Sequence, residues 1–134
     1  MKMSDISLEQ MLKAAAEASK RAYAPYSKIR IGAALVSTSG KIFAGANIEN
    51  SSYGLTVCAE RVAISGAIFS GERTFKALAV YSDKVLPVPC GACLQMMAEF
   101  FEGNELVFIA SKEKMLKRKF KELLPFSFKI KIDV

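Results

Sequence analysis

The chain has no histidine and only three cysteines in 134 residues. Without histidine, the side chain most often used as a general base near neutral pH is missing, and so is the usual nitrogen ligand for a metal. Proton transfer or metal binding must then be built from carboxylates, amines and thiols. Three thiols cannot all pair within one chain, and thiols kept free as ligands suit a reducing compartment, so a cytoplasmic location is expected. No apolar run approaches the roughly 18 residues of a membrane span. Met1-Lys2-Met3-Ser4-Asp5 lacks the apolar core and cleavage site of a secretory leader. There are no repeats and no low-complexity linkers. With 51% hydrophobic residues and the length of one ordinary domain, residues 1–134 are expected to form a single domain around one core.

The net charge is +6. Ser111 to Val134 holds eight basic residues (Lys112, Lys114, Lys117, Arg118, Lys119, Lys121, Lys129 and Lys131) against Glu113, Glu122 and Asp133, which accounts for five of those six charges. Phe120, Phe126 and Phe128 lie among these lysines, a mixture also found in single-strand nucleic-acid binders. The segment is remote from every cysteine, and a solvated basic edge is the simpler reading. No nucleic-acid partner is expected.

The residues that carry chemistry fall in two stretches, Thr56-Val57-Cys58-Ala59-Glu60-Arg61 and Pro89-Cys90-Gly91-Ala92-Cys93. A lone C-x-x-C also marks redox dithiols and half-sites of structural zinc. A redox reading pairs Cys90 with Cys93 and leaves Cys58 inert. A structural zinc needs a fourth protein ligand, and this composition offers only carboxylates for it. The pairing of C-x-E upstream with P-C-x-x-C downstream favours a third reading. Zinc held by Cys58, Cys90 and Cys93 would keep an open corner, as catalytic zinc does. Glu60 is then the nearest base for a water bound there, and Arg61 a nearby positive charge to offset three thiolates.

Periodicity and turn chemistry give the order of elements. Ser7 and Gln10 form a capping-box pair ahead of a helix running to about Ala22. Ala24-Pro25-Tyr26-Ser27 is a turn. Residues 29–36 and 42–47 read as a hairpin around Thr38-Ser39-Gly40-Lys41. Cys58 to Phe69 reads as a helix, Phe75 to Tyr81 as a buried strand, Gly91 to Phe101 as a helix and Glu105 to Ala110 as a strand. Met115 to Leu124 is ambiguous with some helical character, and Phe128-Lys129-Ile130-Lys131-Ile132 alternates as an edge strand would. The order implies a mixed sheet covered by helices. Both cysteine stretches then sit at helix N-termini, where free N–H groups and the helix dipole favour thiolates.

Ala22-Tyr23-Ala24-Pro25-Tyr26-Ser27-Lys28, Gly32-Ala33-Ala34-Leu35, Asn47-Ile48-Glu49-Asn50, Tyr53, the two cysteine motifs and Leu123-Leu124-Pro125 together resemble the small, tetrameric cytidine deaminases. The resemblance runs from Ala22 to Phe128. It implies a three-layer α/β/α fold with a five-stranded mixed sheet, and hydrolytic deamination of cytidine and deoxycytidine. Carried over by position, Cys58, Cys90 and Cys93 are zinc ligands and Glu60 is the proton shuttle. Asn47 and Glu49 bind the sugar 3′-hydroxyl. Ala59 and Ile29 contact the nucleoside. Tyr53 and Phe128 complete the active site of a neighbouring subunit in a homotetramer. The chain departs from the usual pattern at Ile29, where the family commonly has Phe, and at Leu94, where many relatives carry Arg. A related activity on another cytosine-containing small molecule, such as blasticidin S, is the nearest alternative.

Overall fold

The computed structural model describes residues 6–132, so the first five residues, including the stretch read for a leader, and the last two lie outside it. Helix α1 (Leu8–Ser19) starts as its capping box requires: the Ser7 hydroxyl accepts from the Gln10 N–H at 3.1 Å, and the Gln10 side chain accepts from the Ser7 N–H at 2.8 Å. Met11, Ala15 and Ala18 form its buried stripe. It stops short of Ala22 because the chain turns away there, and Tyr23 forms a parallel bridge with Ile48.

Strands β1 (Ile31–Ser37) and β2 (Ile42–Ala46) form the expected hairpin, with Gly40 at a φ of 89° in its turn. Then follow α2 (Ala59–Phe69), β3 (Phe75–Ser82), α3 (Gly91–Phe100), β4 (Leu106–Ala110), β5 (Met115–Lys119) and the short α4 (Phe120–Leu123). The sheet order is β2-β1-β3-β4-β5, with only β3 and β4 parallel among neighbours. Helix α1 packs on one face over Ala34, Val36, Ala77, Ala79 and Phe108. Helices α2 and α3 cover the other face, burying Ile64 and Met97 against Leu35, Leu78, Val80, Val107 and Ile109. The three-layer α/β/α architecture with a five-stranded mixed sheet is the one expected.

The fifth strand is not where alternation placed it. Met115–Lys119 pairs antiparallel with β4, from Ala110↔Met115 to Leu106↔Lys119. Three of its five residues are basic, so it carries little hydrophobic signal, but charges suit an edge strand because they discourage pairing with other chains. Residues 128–132 are not a strand. With β5 already on the edge of β4, Phe128, Ile130 and Ile132 remain exposed.

This topology positions the cysteines. β2 and β3 are both antiparallel to β1 and therefore run the same way. Helices α2 and α3 each follow one of these strands and begin at the same edge of the sheet. That edge, beyond the carboxyl ends of parallel strands, is where α/β folds commonly place ligands.

Candidate active site

Cys58 is the N-cap of α2 and Cys90 the N-cap of α3, and both have extended backbone there. Cys93 stands one turn into α3, fully buried. The two helices bring all three Sγ atoms within 4.8 Å of one another, with Cys58 and Cys90 at 3.9 Å and Cys90 and Cys93 at 3.5 Å. No disulfide forms. These three thiols at two helix N-termini suit zinc by donor chemistry, and they leave a fourth position without a protein ligand.

Burial and charge set the thiols and the carboxylate apart. The Cys58 thiol is drawn down to about 5, chiefly by its hydrogen bond from Cys93 and then by Arg61. Cys93 moves up because it donates that bond and is buried. Arg61 donates from Nη2 to the Thr56 carbonyl at 3.3 Å and to Cys58 Sγ at 3.6 Å. Its Nε is buried without a hydrogen-bond partner. Glu60, only 4% exposed, has its carboxyl pushed up to about 7, mainly by loss of solvent and then by the Cys58 charge.

A cleft of about 300 Å³ opens on the cysteines, small even for a small-molecule pocket. Ser27, Ile29, Ile31, Asn47, Glu49, Thr56, Cys58, Glu60, Pro87, Val88 and Cys90 line it. Its walls are fastened by the segment after β2. Ile48 and Val57 exchange two backbone hydrogen bonds of 2.9 Å, which sets Asn47 and Glu49 beside Cys58. Asn47 ties down the entry to β1: Oδ1 accepts from the Ile31 N–H and Nδ2 donates to the Ile29 carbonyl, both at 2.9 Å. Glu49 accepts from the Tyr26 and Ser27 N–H groups at 3.0 and 3.1 Å, and from the Ser27 hydroxyl. That hydroxyl, more than any other group, holds the Glu49 carboxyl below its ordinary range.

Six of the residues singled out from sequence thus share the cleft: Ile29, Asn47, Glu49, Cys58, Glu60 and Cys90. Cys93 sits behind it with the other two thiols. The Ala59 side chain is buried in the core beneath α2. Tyr53 is 77% exposed and lines an adjoining cavity with Tyr26, Ser27, Glu49, Asn50 and Thr56. Phe128 is 68% exposed, and its carbonyl accepts from Gln95 Nε2 at 3.1 Å. Leu94 is half-buried and packs on the core. Thr56, Pro87 and Val88 were not picked out as wall residues by the sequence. The one cue available was their position directly before the ligand cysteines, since loop residues that enter a helix N-terminus frame whatever binds there.

Residues 5–110 match the family model for the cytidine and deoxycytidylate deaminase zinc-binding region. A cytidine deaminase of Sporosarcina psychrophila is 48% identical over 105 residues, covering 78% of this chain and 77% of that protein. The crystal structure of a cytidine deaminase from Burkholderia pseudomallei superposes with a TM-score of 0.87 at 40% identity, covering 92% of this chain and all of that one. A blasticidin-S deaminase from Bacillus cereus is more distant, at 30% over 110 residues, covering 75% of this chain and 78% of that protein. The chain belongs to the cytidine and deoxycytidylate deaminase family of zinc-binding hydrolases.

Proposed function

We propose that this protein converts cytidine and deoxycytidine, with water, to the uracil nucleosides and ammonia. Three thiols converging on a cleft whose wall holds a buried carboxyl is the observation that carries the reading. Bound zinc supplies water ionisable near neutral pH and hence a nucleophile. Cys58, Cys90 and Cys93 hold the metal, and Arg61 offsets part of their charge. Glu60 takes one proton of the attacking water and gives it to N3 of the cytosine as C4 is attacked. It then takes the second proton from the new C4 hydroxyl and gives it to the amine, which leaves as ammonia while the C4 carbonyl forms. A carboxyl near pH 7 suits both giving and taking a proton.

Asn47 and Glu49 read the sugar. Their positioning bonds leave the second Nδ2 hydrogen of Asn47 and a lone pair on Glu49 for a 3′-hydroxyl. The Glu49 carboxylate, held ionised by Ser27, repels a 3′-phosphate, so the substrate is a free nucleoside and not a polynucleotide. The product is a salvaged pyrimidine nucleoside, and the setting is cytoplasmic. The chain works as one catalytic domain within a homotetramer. Tyr53 and Phe128, both exposed on their own chain, then meet a neighbouring subunit's nucleoside.

Zinc-loaded protein should bleach cytidine absorbance and leave an oligonucleotide cytosine unconverted. Comparable rates on both would remove the role given to Glu49, and turnover of blasticidin S without turnover of cytidine would replace the substrate. Ile29 gives a second test. Its side chain lines the cleft without a π-face, and an aromatic contact is worth about 1 kcal/mol. Ile29→Phe should therefore lower KM for cytidine about fivefold with kcat little changed. An unchanged KM would place this side chain away from the base.

A further inference from the structure

Glycine inside a strand forgoes side-chain packing, and the usual physical reason is that another backbone comes close. Gly45 stands inside β2, one residue before its end, paired with Ala33, whose side chain belongs to the core under α2. A Cβ added at Gly45 would lie 2.5 Å from the Ala59 carbonyl oxygen, 2.5 Å from the Ala63 nitrogen and 3.0 Å from Val62 Cβ. Two of these atoms are helix backbone and cannot rotate aside. Ala59 stands between Cys58 and Glu60. Ala59, Ala63 and Ala67, spaced four residues apart on α2, are all fully buried.

We propose that Gly45 is a positioning residue for the metal centre, setting the height of the first turn of α2 and so the distance of Cys58 from Cys90 and Cys93. This rests on the assignment of the three thiols as zinc ligands. Two of those ligands ride on α3, whereas the three atoms nearest a Cβ at Gly45 all belong to α2, so a lift of α2 changes the distance from Cys58 to the other two. Relieving the clash requires a lift of roughly 1–1.5 Å to reach ordinary contact distance. Zinc sites keep their ligand distances to within about 0.2 Å. The displacement therefore exceeds what the site tolerates.

Gly32 supplies the internal control. It faces the opposite side of the sheet, where a Cβ would lie 1.9 Å from the Ala15 carbonyl oxygen and 2.5 Å from the Ser19 nitrogen of α1, a helix that carries no ligand. Loss of packing alone is at least as severe there.

The test measures zinc affinity by competition with a chromophoric chelator, alongside the thermal midpoint of zinc-free protein. Gly45→Ala and Gly32→Ala should both lower the midpoint. Only Gly45→Ala should weaken zinc binding, about 10–100-fold, the usual range when support behind a ligand is lost. Should Gly45→Ala fail to fold, Ala63→Val and Ala67→Val carry the same distinction, because overfilling at Ala63 lifts the ligand-bearing end of α2 and overfilling at Ala67 lifts its far end. Weaker zinc binding in Ala63→Val than in Ala67→Val is then expected. Zinc affinity unaltered in Gly45→Ala, or lost equally in Gly32→Ala, overturns the inference and leaves the thiol assignment standing. For the alanine pair, equal zinc affinities do the same. Wild-type protein that takes up no zinc overturns both.

Discussion

Glu60→Gln should lower kcat for cytidine on the order of 10⁴-fold, the upper end of what one general acid–base residue supplies, with zinc content and KM nearly unchanged. The upper end is expected because one carboxyl serves both proton transfers and the chain has no histidine to stand in. Gln keeps the shape of Glu but neither accepts nor returns the proton. Loss of zinc in this variant would mean that Glu60 holds the metal. A kcat reduced only tenfold would mean that another group, or solvent, moves the proton.

The same substitution should change stability in the opposite sense. The Glu60 carboxyl lies at about 7 in the fold against an ordinary 4.5, chiefly because burial penalises its charge. The native state therefore holds a proton that the unfolded chain has released between those pH values, and stability falls as pH rises through that window. The rise corresponds to ~3 kcal/mol at most once pH exceeds 7. Zinc-free Glu60→Gln should then melt above zinc-free wild type at pH 8, with the gap closing towards pH 4.5. A gap that does not vary with pH would assign the effect to packing instead of charge.

Much of this was legible in the chain because local chemistry and tertiary structure agree. The capping box opened α1, a four-residue turn made the β1–β2 hairpin, and both cysteine motifs fell at helix N-termini. Legibility failed where tertiary context overrode pattern. The basic Met115–Lys119 became a strand because β4 offered an edge, and the alternating Phe128–Ile132 did not because that edge was taken. The cleft wall was legible only in part. The resemblance makes Asn47 and Glu49 sugar ligands, yet about half of their hydrogen-bonding capacity goes to backbone at Tyr26, Ser27, Ile29 and Ile31. No spacing rule reports such contacts, since partners 16 to 23 residues away meet only when the sheet forms. Gly45 carries no sequence signal of its own, being one small residue within the strand Ile42–Ala46.

Replacing Cys58 gives the other large effect, and the choice of replacement makes it diagnostic. Cys58→Ala should drop bound zinc below about a tenth per chain, because two thiols without a third protein donor make a poor zinc site. Turnover should fall with it. Cys58→His should keep zinc near one per chain, because imidazole is an accepted zinc donor and zinc deaminases use His or Cys at the first ligand position. Space permits the change: Cys58 is half-buried at the N-cap of α2 and faces the cleft. The exchange also removes one negative charge from the donor set, so Arg61 Nη2, now 3.6 Å from Cys58 Sγ, would face a neutral ring. Arg61→Gln should therefore weaken zinc retention with Cys58 in place and matter much less in the Cys58→His background. Equal losses in both backgrounds would make Arg61 a brace for the Thr56 carbonyl and not a counter-charge to the thiolates.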